Sequence, residues 1–195
     1  MSEYKIKSLS FLIVASLLVV LIGCQSNSIP KPRGYFRLTY PEKQYRIFDT
    51  LFPYKFYYPV YSKIVMDKQS GAENYWINIE FPKYKAKIHI SYKSVNGNIN
   101  ALIEDVRTLA YKHTIKADAI NEKLFANPSR KVYGTLYDIK GNAASSYQFY
   151  VTDSVKHFLR GALYFSVHPN KDSLAPAIDF FGKDMTYLIE SIEWK

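Results

Sequence analysis

Residues 131–168 read KVYGTLYDIKGNAASSYQFYVTDSVKHFLRGALYFSVH, and this stretch decides the fold. Three segments rich in β-branched and aromatic residues, Lys131–Ile139, Ala144–Thr152 and Lys156–His168, are joined by short connections carrying Gly141-Asn142 and Asp153-Ser154. Parallel neighbours need a crossover of a dozen or more residues, so connections this short predict an antiparallel meander. In the third segment Leu159, Leu163, Phe165 and Val167 share one face, and Phe158, Arg160, Ala162 and Tyr164 the other, as expected of a central strand. Arg160, if buried there, needs a carboxylate or carbonyl partner. Gly161 leaves room for a bulge or for close approach of another chain.

Upstream, Tyr75, Ile77, Ile79 and Phe81 alternate with Trp76, Asn78 and Glu80, Ile88, Ile90 and Tyr92 alternate with Lys87, His89, Ser91 and Lys93, and Pro82-Lys83-Tyr84 between them predicts a hairpin. The aromatic run Tyr54–Tyr61 is interrupted by Pro59, which predicts an edge strand. Lys83, Lys85, Lys87 and Lys93 gather around the hairpin, a pattern expected of an edge that must discourage strand addition. Two segments follow the helical period. Ile99, Leu102, Ile103, Val106, Leu109, Ala110 and His113 form one stripe, and Ile178, Phe181, Met185, Leu188, Ile189 and Ile192 the other, with Pro176 placed in the first turn. The expected fold is therefore α+β, a single domain whose antiparallel sheet of about five to six strands is packed by two amphipathic helices. Its element order loosely resembles the PsbP and Mog1-like folds.

Of the 195 residues 48% are hydrophobic and 16% aromatic, including 18 tyrosines, which excludes a disordered chain. The expected organisation is a signal segment at 1–23, a tether at 24–34 and a globular domain at 35–195. Lys5 and Lys7 precede an apolar run from Phe11 to Ile22, twelve residues against the roughly 20 that span a bilayer as a helix. That run ends in Leu21-Ile22-Gly23-Cys24, which resembles the lipobox of bacterial lipoproteins. Leu21, Ile22 and Gly23 would then be read by the signal peptidase, and Cys24, the single cysteine, would carry the acyl chains. Two or three chains hold a protein to a membrane far more firmly than one. Gln25 to Gly34 is polar, punctuated by Pro30 and Pro32, and reads as the tether.

Catalytic signatures are absent from the sequence: no Gly-x-Ser-x-Gly, no phosphate-binding Gly-x-x-x-x-Gly-Lys, no His-Glu-x-x-His. His89, His113, His157 and His168 lack the short spacing of metal ligands, and Glu104-Asp105 reads as a solvated helix face. Neither enzyme activity, a metal nor a cofactor is expected. The formal charge is +9; removing residues 1–23 takes away Lys5, Lys7 and Glu3 and leaves +8. Such a balance draws a domain towards anionic lipid or an acidic partner, while nucleic acid is no expected partner for an exported chain.

Pro32-Arg33-Gly34-Tyr35-Phe36-Arg37-Leu38, Leu136 to Ser145, Phe158 to Phe165 and the final Glu193-Trp194-Lys195, together with the lipobox, resemble the GldD family of gliding-motility lipoproteins of the Bacteroidetes. The resemblance implies a non-enzymatic envelope lipoprotein required for gliding and linked to the type IX secretion machinery, with other motility or secretion proteins as partners. In that phylum acidic residues after the cysteine mark surface export. The tether has none, which implies a domain facing the periplasm. Asp49-Thr50-Leu51, Asp153-Ser154-Val155 and Asp172-Ser173-Leu174 resemble the phylum's O-glycosylation acceptor, making Thr50, Ser154 and Ser173 candidate sites; such pairs are equally common turn and helix-start chemistry. The leading expectation is an accessory or scaffold lipoprotein. The alternative is a periplasmic module that binds an envelope glycan or lipid fragment in a tyrosine-rich groove.

Overall fold

A computed structural model describes residues 39–195, so the signal segment, the tether and their boundaries lie outside the described residues. The elements are β1 (Tyr45–Phe48), β2 (Tyr54–Pro59), β3 (Lys63–Met66), β4 (Ile77–Phe81), β5 (Ala86–Ser94), α1 (Ile99–Tyr111), β6 (Ala117–Asn127), β7 (Val132–Gly141), β8 (Ser145–Thr152), β9 (His157–Phe165), α2 (Lys171–Glu190) and β10 (Glu193–Trp194). The meander expected from residues 131–168 is present as β7-β8-β9, with Tyr133 opposite Thr152 and Thr152 opposite Phe158. It lies within a fully antiparallel seven-stranded sheet of order β3-β4-β5-β9-β8-β7-β6. A separate three-stranded sheet has the order β1-β2-β10. The α+β fold with two helices is as expected; the main sheet is longer by one or two strands and the small sheet is additional.

Pairing register assigns the faces. Ile77, Ile79, Phe81, Ile88, Ile90, Phe149, Leu159 and Leu163 lie beneath Phe181, Met185, Leu188 and Ile189 of α2 and Tyr54, Phe56 and Tyr58 of β2. A second core forms on the opposite face, where Leu102, Val106 and Ala110 of α1 cover Tyr137, Ile139 and Phe158. Each helix thus buries the centre of the stripe read from its period, while Leu109 of α1 stays 37% exposed.

Four expectations are corrected. Strand β2 is the middle of the small sheet, not an edge strand. β10 pairs only with Tyr54 and Lys55, so Pro59 at the far end opposes nothing on that side, and its missing N–H costs no ladder bond. Strand β5 lies between β4 and β9, so the hairpin lysines guard no edge. Lys93 instead pairs with Glu73 at 2.6 Å. Helix α2 begins five residues before Pro176, at Lys171, because the Asn170 side chain accepts from Ser173 N–H at 3.0 Å and caps it there. Gly161 makes no bulge: it pairs in register with Ile90 and Phe149, and the Phe149 ring lies where a Cβ would stand, 2.1 Å from Cε1.

The β8–β9 turn depends on Asp153. One carboxylate oxygen accepts from the N–H groups of Val155, Lys156 and His157 at 3.0, 2.8 and 2.8 Å, while Ser154 takes a φ of 68°. Burial raises the Asp153 pKa, but the three backbone N–H bonds outweigh it and hold the group below its ordinary value. Asp153→Ala is expected to cost about 1–2 kcal/mol in urea unfolding. That increment should be full above the ordinary carboxyl value near about 4 and fade as pH falls through the lower folded value.

Candidate functional site

An open cleft lies at one end of the main sheet, where the β6–β7 connection, the β8–β9 turn and the chain terminus meet. It encloses about 530 Å³ and is lined by Arg130, Lys131, Lys156, His157, Trp194 and Lys195 among others. The Trp194 indole stacks on the His157 imidazole at 5.2 Å with an 8° interplanar angle. Trp194 Nε1 donates to Lys131 O at 3.0 Å, and His157 Nδ1 lies 2.9 Å from the Tyr92 hydroxyl, so the stack is fixed from both sides. Lys131 is held at φ 52° by the N–H bond from its own backbone to Pro128 O. Glu193 meets Lys55 at 2.8 Å and Arg130 at 3.5 Å, and Lys195 meets Asp49 at 2.5 Å. Among the described residues Lys131 and Lys156 have no carboxylate partner. Val155 stands 68% exposed at the rim. An aromatic plate, an exposed aliphatic and two free ammonium groups suit an acidic polypeptide better than a small ligand.

The histidines are separate. His157 belongs to the cleft. His89 lies 3.1 Å from Asn78 Oδ1 and 3.5 Å from Asp67. His113 follows α1, and His168 follows β9. Among the described residues no group of three or more His, Cys, Asp or Glu is placed to hold a metal. Burial is the first cause that lowers the pKa of His157, His89 and His113; Lys156 adds to it at His157, and Arg160 at the other two. A folded state that resists protonation loses stability once the unfolded chain protonates. The urea midpoint is therefore expected to fall between pH 7.5 and 5.5, beginning near the ordinary imidazole value of about 6.5. An unchanged midpoint would contradict this.

Leu21, Ile22, Gly23 and Cys24 lie outside the described residues. Thr50 is exposed in the β1–β2 loop and its carbonyl accepts from Lys195. Ser154 is exposed at its turn, and Ser173 is exposed in the first turn of α2. The three hydroxyls occupy three different connections or element starts. Arg160 finds the kind of acceptor its sequence position demands: Nη2 donates to Gln148 Oε1 at 2.9 Å.

One cluster had no signal in the sequence. Asp184, on the flank of α2 and 1% exposed, accepts from Lys43 Nζ at 2.7 Å, Tyr45 Oη at 2.9 Å and Tyr61 Oη at 2.8 Å. Lys43 also donates to Phe180 O and lies 3.2 Å from the centre of its ring. Burial first, and the Asp184 bond second, push both tyrosine pKa values up. A carboxylate with three donors of long sequence separation is a clamp for the chain entering the domain, not a reacting group.

These features define a sheet-and-helix module with a basic cleft and, among its described residues, no helix long and apolar enough to cross a membrane. The family model described as gliding motility lipoprotein GldD matches residues 25–194, and the chain belongs to that family. Membership makes it a gliding-motility lipoprotein, which implies anchoring in an envelope membrane. The solution structure of cyanobacterial PsbP (CyanoP) from Synechocystis sp. PCC 6803 is similar, with 12% identity, a TM-score of 0.49, and coverage of 84% of this chain and 98% of that one. No curated protein matches.

Proposed function

We propose that this protein is a non-enzymatic scaffold of the gliding apparatus, linked to type IX secretion, tethered through acylated Cys24 and facing the periplasm. Its basic cleft docks an acidic segment of another motility or secretion protein. The observation that carries the reading is the cleft itself, where Lys131 and Lys156 are unpaired beside the Trp194–His157 plate. Confinement to one membrane raises the effective concentration of the partner, so a modest interface suffices. Rim charges act mainly through association rate and salt dependence. The test is Lys131→Glu with Lys156→Glu in the native organism, followed by in-cell crosslinking. The expected result is a stable, membrane-bound protein whose crosslinked partners and cell movement are lost. Unchanged crosslinks and movement would sink this placement of the docking surface.

A further inference from the structure

The face of the main sheet that carries α1 holds a second cleft, unconnected with the docking surface. Strand register places Lys87, His89, Ser91 and Lys93 of β5 beside Phe158, Arg160 and Ala162 of β9 on this face, with Gln148 and Tyr150 of β8 next to them. Helix α1 covers only part of it. Between the helix and the sheet remains a cavity of about 160 Å³, walled by Leu102, Val106 and Leu109 of α1 and by Trp76 and Phe158, with Ser91 and Arg160 also lining it. Lys93 and Asp105 complete the lining.

Arg160 is the unusual member. It is half-buried, its one hydrogen-bond partner is the neutral Gln148, and its buried Nε has no partner. Among the described residues no carboxylate lies within ion-pair distance of it. A guanidinium partly withdrawn from water is favoured by an anionic partner, because even partial desolvation of an uncompensated charge is costly. The nearby His89 and His113 cannot supply one, and the guanidinium opposes their protonation. An apolar wall beside a guanidinium with no carboxylate partner matches one ligand chemistry: a carboxylate on an apolar body. The volume limits that body to a single ring or one unbranched acyl chain, since pockets for larger ligands run to about 300–1,000 Å³.

We propose that this cleft binds a small amphipathic monocarboxylate, with Arg160 holding the carboxylate and Leu102, Val106 and Leu109 holding the apolar part. Trp76 supplies the readout; the chain's other tryptophan, Trp194, lines the cleft at the chain terminus and is replaced by phenylalanine to leave one fluorophore. In the Trp194→Phe protein, octanoate is expected to change Trp76 fluorescence saturably. Octanol, which lacks the charge, and acetate, which lacks the body, should each bind at least tenfold more weakly, and inorganic phosphate should not compete. Arg160→Gln should weaken octanoate at least tenfold, with Arg160→Lys restoring part of it. Should Arg160→Gln fail to fold, Leu109→Trp, monitored by calorimetry, should abolish binding by filling the cleft while Arg160 remains. Absence of saturation, equal affinity for octanol, or octanoate binding that survives Leu109→Trp would overturn the proposal.

Discussion

Asp184→Ala is expected to lower the unfolding free energy by about 3 kcal/mol, among the largest effects of any side-chain removal in the domain. Breaking a buried ion pair by deleting one partner typically costs about 3–5 kcal/mol, because the other is left uncompensated. Lys43 is 29% exposed and can turn towards water, which puts the loss at the low end. The two tyrosine hydroxyls cannot both do so: Tyr61 and Tyr45 are half-buried against Phe180 and Tyr187. Asp184→Asn keeps one acceptor oxygen and should cost about half as much. Lys43→Met, which keeps the stem over the Phe180 ring, should cost less than either. Urea unfolding of the three variants checks the order, and an Asp184→Ala domain as stable as the parent would contradict the clamp.

Gly134→Ala should cost about 3 kcal/mol or more, for a different reason. An added Cβ would stand 1.9 Å from the Tyr150 carbonyl oxygen and 2.9 Å from Val151 Cα, both backbone atoms of the paired strand β8. Neither can move without pulling apart the β7–β8 ladder, so the strain is not relieved by a rotamer change. At Gly161 the obstacle is the Phe149 side chain, which can tilt, so Gly161→Ala should be milder although its position is nearer the centre of the sheet. Thermal unfolding of both variants separates backbone from side-chain obstruction. Equal losses would contradict that distinction.

The elements that were legible in the sequence are those whose burial pattern matches their period. β7, β8, β9 and both helices carry stripes that a packed face requires, and the Asp153-Ser154 turn announces itself by residue type. Strand β6 carries no such signal. Its eleven residues are mostly exposed, Leu124 to 88%, and it is held to β7 by backbone bonds that leave no trace in side-chain pattern. β1, β3 and β10 have two to four residues each, too few for a period to show. The lysines of the hairpin misled because charge on a strand means an edge only when the neighbours are known. β5 has β4 on one side and β9 on the other.

The site followed the same division. Arg160 was visible as a charge in an apolar strand, and its need for an acceptor followed from desolvation alone. That its partner is neutral Gln148 could be known only from the β8–β9 register. The Trp194–His157 plate joins residues 37 positions apart through Tyr92 and Lys131, and the Asp184 clamp joins residues 139 and 123 positions apart. No spacing rule reaches across such separations.

The central claim is that a domain confined to a membrane acts by docking, and the most direct measurement replaces Cys24 with alanine in the native organism and follows fractionation, abundance and cell movement together. The account predicts an abundant, soluble domain in cells that no longer glide. Normal gliding with the domain fully soluble would contradict it.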